Sequence, residues 1–177
     1  RSWLPRTYPG TSAAVMGLFS GLHTKVAVYM LYRLWVHLFG MDQRWGTLII
    51  VVMIISMLIG AFGGLAENSI RRVLGYQMLN GMPFILVMMA FTTHDPQRAL
   101  AAGILYTIHH MLTVGSLILA SGAIEETYGT GLLSKLSGLA RRDPLIAWIF
   151  AAGAFSVVGL PPFSGCLLYT SDAADEE

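Results

Sequence analysis

The chain has 177 residues, of which 55% are hydrophobic and only 12% charged, and its mean hydropathy is +0.62. A soluble domain carries about 25% charged residues, so this composition excludes an ordinary water-soluble fold and implies a polytopic membrane protein. The formal net charge of +1 says nothing about nucleic acid, but no basic tract interleaved with aromatics appears, so no nucleic-acid partner is expected. A single cysteine, Cys166, excludes a disulfide framework within the chain.

The sequence opens on RSWLPRTYPG, with no initiator Met and no cleavable signal peptide, and reads as the inside of a longer protein. Five apolar stretches follow at about 12–38, 45–66, 70–92, 97–122 and 144–165, each long enough to cross about 30 Å of hydrocarbon. The expected fold is all-α, a transmembrane bundle of about five helices over residues 1–165. The joining loops are FGMDQR, AENSIRR, TTHDPQR and the longer EETYGTGLLSKLSGLARRDP, in which LLSKLSGL is expected to form a short interfacial helix. Arg1, Arg6, Arg71, Arg72, Lys135, Arg141 and Arg142 fall on one side, against Arg33, Arg44 and Arg98 on the other. This bias places the N-terminal loop in the cytoplasm.

In the first span, Ala13, Gly17, Gly21 and Lys25 recur every four residues and form one ridge. Small residues at this spacing let another helix approach, so Lys25 is expected to face protein. A charge at mid-membrane costs roughly 3 kcal/mol on insertion scales. The competing reading is snorkelling, but Lys25 is about thirteen residues from either end, roughly 20 Å at 1.5 Å per residue. A lysine kept from water there can trade a proton near neutral pH. His23 points elsewhere and reads as packing or a loose partner.

In the third span, Arg71 and Arg72 mark the cytoplasmic mouth, chiefly as an orientation signal. Asn80, Gly81 and Pro83 are then expected to interrupt the helix. In the fourth, Tyr106, His109, Thr113 and Ser116 form a polar face, with His109 and His110 near its middle. Two histidines on a hydroxyl-lined face suit a proton relay, since imidazole loads and releases protons near pH 7; a hydrogen bond to a neighbouring helix is the alternative. A metal is not expected, because adjacent histidines point about 100° apart and no Cys or carboxylate stands nearby. In the fifth, Gly159, Leu160, Pro161, Pro162 and Phe163 break the helix, as discontinuous helices do at transporter ion sites. The ten Met residues read as packing. No redox motif, nucleotide loop or nucleophile constellation appears, so neither a cofactor nor a catalytic residue is expected.

WLPRTYP, TKVAVYMLYR, SIRRVLGYQMLNGM, IHHML, SGLARRDPLIAW and GLPPFSG occur in that order. Together they resemble the antiporter-like membrane subunits of Mrp-type multisubunit Na+/H+ antiporters, respiratory complex I and membrane-bound hydrogenases, the GLARRDP wording leaning toward the D-type subunits of the Mrp antiporters. The resemblance implies a fold of about fourteen helices with inverted repeats, other membrane subunits as partners, H+ and Na+ as transported ions, and a bacterial plasma membrane as the location. It implies that Lys25 links two half-channels, that His109, or His110, is the next protonable position, and that Gly159 to Gly165 form a helix break. The implied route runs from the cytoplasm to Lys25 and by water and hydroxyls toward His109.

Departures bear on that route. Ser69, Ile70, Arg71 and Arg72 stand where relatives often carry Asp-x-Lys-Arg, and arginine does not release protons. Thr113 stands where many have lysine, and Gly81 where some have histidine. The ending CLLYTSDAADEE, residues 166–177, lacks membrane logic and is expected to be a non-native translated sequencing adapter. Two other readings stay open: a proton-pumping subunit of complex I or a hydrogenase complex, and a packing or assembly subunit whose polar residues only join helices.

Overall fold

Four of the five long helices start at or just after a side chain that takes up amides with no partner in the first turn. In the computed structural model, which describes residues 4–92 and 95–160, helix α1 (Ala13–His37) begins at Ser12, whose hydroxyl accepts from the Val15 amide. Helix α2 (Gly46–Leu65) follows a 3-10 turn at Gln43–Trp45 that Asp42 caps. Helix α3 (Ile70–Val87) runs into a second 3-10 turn, Met88–Phe91. Helices α4 (Pro96–Tyr128) and α5 (Pro144–Val158) start alike. A capping aspartate, Asp95 or Asp143, precedes a proline at the first helical position, where no amide is needed. They end on Gly129 (φ 68°) and Gly159 (φ 80°), in left-handed backbone that a side chain would strain.

The architecture is an all-α membrane bundle. Four spans, Ala13–His37, Gln43–Leu65, Ile70–Phe91 and Pro96–Tyr128, are long and apolar enough to cross a bilayer, and α5 is a shorter apolar helix. Arg1, Pro161, Pro162 and the 166–177 stretch lie outside the described residues.

Three elements differ from expectation. Helix α4 continues past 122 to Tyr128, because Glu125, which reads as loop, is paired with Arg71 and its charge does not end the helix. Helix α3 passes through Asn80, Gly81 and Pro83 without a break; Pro83 removes one amide donor, and the irregular turn comes later, at Met88. The LLSKLSGL segment forms the 3-10 turn Leu133–Lys135, and only its last residue enters a helix, the four-residue Leu139–Arg142. Its neighbouring backbone is instead tied to the loop before α3. The Ile70 amide donates to the Gly131 carbonyl (3.0 Å), the Leu133 amide to the Asn68 carbonyl (2.9 Å), and the Asn68 side chain to Ser134 (2.9 Å).

Packing follows small residues. Helix α2 turns Ser56 and Gly60 inward and leaves most of its large apolar side chains exposed. Ala13 meets Gly122 and Gly17 meets Ile118 and Leu119, which joins α1 to α4; Gly153 meets Leu117, which joins α5 to α4. Two apolar clusters result. One holds Tyr8, Met16, Ile70, Leu74, Met78, Val114, Leu117, Ile118 and Ile124; the other holds Val28, Trp35, Ile85, Leu86 and Met89, with Tyr106 packed on it. On α1, α3 and α4 alike, the residues between the two clusters include the polar or side-chain-free positions Lys25, Gly81 and His110.

A Cβ at Gly60 would stand 2.8 Å from the Asn80 amide nitrogen, whereas one at Gly115 meets nothing within 4 Å. Gly60→Ala is therefore expected to lower stability by about 1–3 kcal/mol through overpacking. Gly115→Ala is expected to raise it by about 0.5–1 kcal/mol through helix propensity. Thermal unfolding of the detergent-solubilised protein reads both signs.

Candidate functional site

Lys25 follows a π-turn, Phe19–His23, set within α1. Such a turn fits one extra residue into the helix, disturbs the regular ladder, and is frequent at functional sites. Its effect here is to offset the ridge of small residues: Gly17 packs on α4, Gly21 meets nothing, and Lys25 is turned into the bundle, 7% exposed. The Ser20 carbonyl accepts both the Thr24 hydroxyl (2.8 Å) and the Lys25 Nζ (2.9 Å). Nζ also lies 3.4 Å from Thr24 Oγ1 and 3.0 Å from His110 Nδ1. An ammonium has three protons to donate, and three acceptors surround it. No carboxylate pairs with it among the described residues.

The contact with His110 joins two titratable side chains on different helices. Nζ and Nδ1 lie 3.0 Å apart, within hydrogen-bond distance, and the protonation of the pair decides which one donates. Either the ammonium donates to a bare Nδ1, or the imidazole donates to a neutral amine. The other ring nitrogen, Nε2, is buried with no hydrogen-bond partner among the described residues, as is Ser20 Oγ. His110 itself is 3% exposed.

The sequence-marked residues divide between two directions. His110 meets Lys25. His109 turns to the backbone of Ser156 on α5, three residues before Gly159. Tyr106 packs on Phe84 with ring centres 4.8 Å apart and stands 6.1 Å from each imidazole. The Thr113 hydroxyl donates to the His109 carbonyl (2.8 Å) and the Ser116 hydroxyl to the Leu112 carbonyl (2.7 Å). These hydroxyls bond back into their own helix, and Ser116 is exposed. Pro83 lines a cavity of about 270 Å³ between α1 and α3, together with Tyr8, His23, Thr24, Val28 and Leu79.

At the end of the bundle that holds the loops after α2 and α4, Arg71 forms a fork on Glu125, with Nε to Oε1 at 2.8 Å and the second nitrogen–oxygen pair at 2.5 Å. It also donates to the Thr11 carbonyl. One guanidinium thus ties α3, α4 and the start of α1, with both side chains about four-fifths buried (18% and 20% exposed). Arg72 is exposed and reaches Glu67 at 3.4 Å. Sequence reading missed the π-turn, Ser20 and Glu125 as parts of the site, and took Gly81 only as part of a helix break and as a position where some relatives carry histidine. Only Glu125 left a signal: an arginine at the inner end of one helix calls for a carboxylate on the next.

Comparison with known proteins places the chain. The family described as NADH:quinone oxidoreductase/Mrp antiporter, TM, matches residues 1–170. The chain is 35% identical to the D-type subunit of the Na(+)/H(+) antiporter of Alkalihalophilus pseudofirmus, over 92% of this chain and 33% of that protein. It is 33% identical to the NADH-quinone oxidoreductase subunit N of Hirschia baltica, over 93% of this chain and 34% of that one. In the solved structure of the Mrp complex from a Dietzia species, one chain superposes with a TM-score of 0.89 at 43% identity, covering 96% of this chain and 31% of that one. The chain spans about a third of the length of the curated relatives it matches.

The Arg71–Glu125 fork makes a separate expectation. Glu125→Ala should destabilise by about 1–3 kcal/mol, since it strands a largely buried guanidinium. Glu126→Ala, exposed and one residue on, should change little. A double-mutant cycle with Arg71→Ala, followed by thermal unfolding, should give a coupling energy of about 1–3 kcal/mol.

Proposed function

The chain belongs to the NADH:quinone oxidoreductase/Mrp antiporter transmembrane family, and from that premise we propose that it acts in a membrane subunit of a multisubunit cation/proton antiporter. In this reading it carries protons through Lys25, His110 and His109 while partner subunits extrude Na+. The observation that carries it is the buried 3.0 Å contact between Lys25 Nζ and His110 Nδ1. A proton arriving from the cytoplasm rests on Lys25 as ammonium, held by Ser20, Thr24 and His110. It passes to Nδ1, leaving a neutral amine and an imidazolium, so one positive charge moves from α1 to α4. His109, next along α4, faces α5, which leads to the GLPPF segment. The clusters on either side of this layer are apolar, which favours lateral passage over a leak straight across. A unit charge crossing the membrane exchanges about 2.3 kcal/mol per 100 mV, so small changes in nearby charge steer the transfer.

The bundle sits, in this proposal, in a bacterial plasma membrane with the N-terminal loop in the cytoplasm. Seven basic residues on that side against three on the other support the orientation. A second reading, a proton-pumping subunit of a quinone-reducing or hydrogenase complex, draws support from the NADH-quinone oxidoreductase relative and would use the same path. The antiporter reading is preferred because the identity to the Mrp-complex chain is higher, 43% against 33%. Neighbouring genes separate them, as small antiporter subunits or redox subunits with iron–sulfur motifs.

Lys25→Ala should abolish Na+-dependent proton antiport in vesicles bearing the assembled complex. Lys25→Arg should do the same, because a guanidinium stays protonated. Fluorescent-dye measurement of antiport checks both, at matched complex levels. Wild-type rates in either variant would leave only the packing or assembly reading.

A further inference from the structure

His110 is held on one side only. Its Nδ1 meets Lys25, its Nε2 has no partner among the described residues, and its ring is buried. No second hydrogen bond therefore fixes where the imidazole sits. What meets the ring on its far side is Gly81 of α3. A Cβ built on Gly81 would fall on the ring, overlapping Nε2 and Cδ2 and standing 3.2 Å from Cε1. The volume that any side chain at 81 would take is already filled by His110.

Neither partner has room to retreat. Helix α3 is anchored on both sides of Gly81, by Met78 (1% exposed) in one apolar cluster and Ile85 (fully buried) in the other. Pro83, two residues on, lies within the helix and is buried. On α4, Val114 is fully buried one turn beyond His110, and Tyr106 is wedged against Phe84 one turn before it. The element free to yield is the imidazole, and it can yield only by moving against Lys25 or turning away from it.

The other close glycines differ in kind. Gly63 meets the ring of Tyr76, Gly103 the hydroxyl of Tyr32, Gly122 the side chain of Ala13, and Gly60 the backbone of Asn80. Those contacts set how closely helices approach. Gly131 meets Glu125 and Gly153 meets Leu117; among these glycines, Gly81 is the one that meets Lys25 or His110.

We propose that Gly81 is a positioning residue for proton transfer: its missing side chain is the niche that places His110 with Nδ1 on Lys25. This rests on Lys25 and His110 being proton carriers, as argued above. The niche sets the donor–acceptor distance between Nζ and Nδ1. It also presents Nε2 to the backbone of α3, as the second port of the ring. Gly81 acts through His110 and touches no proton itself.

The test compares Gly81→Ala with Gly63→Ala, which crowds α3 from the α2 side at the ring of Tyr76, away from Gly81 and His110. Both are measured in vesicles carrying the assembled complex, as Na+-driven proton flux across a pH series at matched complex levels. Gly81→Ala should lower flux about 100-fold, the scale set by misplacing a reacting group by about 1 Å, and should move the pH optimum. Gly63→Ala should leave the pH optimum where it is. Flux within about twofold of wild type in Gly81→Ala, or proportional losses in both variants with an unmoved optimum, would overturn the proposal. If Gly81→Ala fails to assemble, the double variant Gly81→Ala/His110→Ala should assemble as well as His110→Ala alone, because the niche is then empty. Failure of the double variant to assemble would show a packing role only and would also overturn it. Lys25→Ala in the same assay separates the two levels. If it keeps full flux, the proton reading falls and this inference with it. If it is silent while Gly81→Ala is normal, only this inference falls.

Discussion

A lysine ammonium inside an apolar helix bundle must find acceptors or leave the membrane interior, and much of the structure follows from supplying them. Three come to Lys25 from two helices. Its own helix gives the Ser20 carbonyl, made available around a π-turn, and the Thr24 hydroxyl. Helix α4 gives the Nδ1 of His110. None of the three carries a negative charge. The amine is held by dipoles, so gain or loss of its proton is not blocked by a fixed counter-ion. That distinguishes this site from the Arg71–Glu125 fork, where two opposite charges lock one another and the arginine keeps its proton.

The two sites divide the work of the bundle. The fork and the hydrogen bonds between the Asn68 and Gly131–Ser134 segments pin the ends of α3 and α4 and the start of α1. With those ends fixed, the apolar clusters set the height at which α1, α3 and α4 face one another. The layer left between the clusters is where Lys25 and His110 meet over Gly81. The geometry of the site is thus a product of packing at a distance: a 3.0 Å contact needs register held to a fraction of a helical turn.

The spans were legible because hydropathy accumulates over some twenty residues, and a bundle of apolar helices is what the sequence leads one to expect. Lys25 was legible as a protein-facing residue for the same reason: polarity in an apolar run stands out locally. What could not be read depended on partners far along the chain. Glu125 reads as loop until Arg71, 54 residues away, is seen to neutralise it. FSGLH carries no local mark of a π-turn, since its apolar pattern suits an α-helix equally. His109 and His110 differ by about 100° of helix rotation, and choosing the one that meets Lys25 requires the register between α1 and α4. The π-turn and the Gly81 niche set that register, and neither shows in the chain. The hydroxyls of Thr113 and Ser116 looked like relay stations by spacing, but an isolated hydroxyl in an apolar helix can satisfy itself on the carbonyl four residues back.

The central claim is that Lys25 and His110 share one proton directly. Solid-state NMR of the ¹⁵N-labelled protein in lipid bilayers tests it without reference to transport. The account expects a through-space correlation between Lys25 Nζ and His110 Nδ1, carried by the proton between them, and none between Lys25 and His109. A Lys25 correlation to His109, or a Lys25 signal that exchanges freely with bulk water and correlates with neither ring, would contradict it.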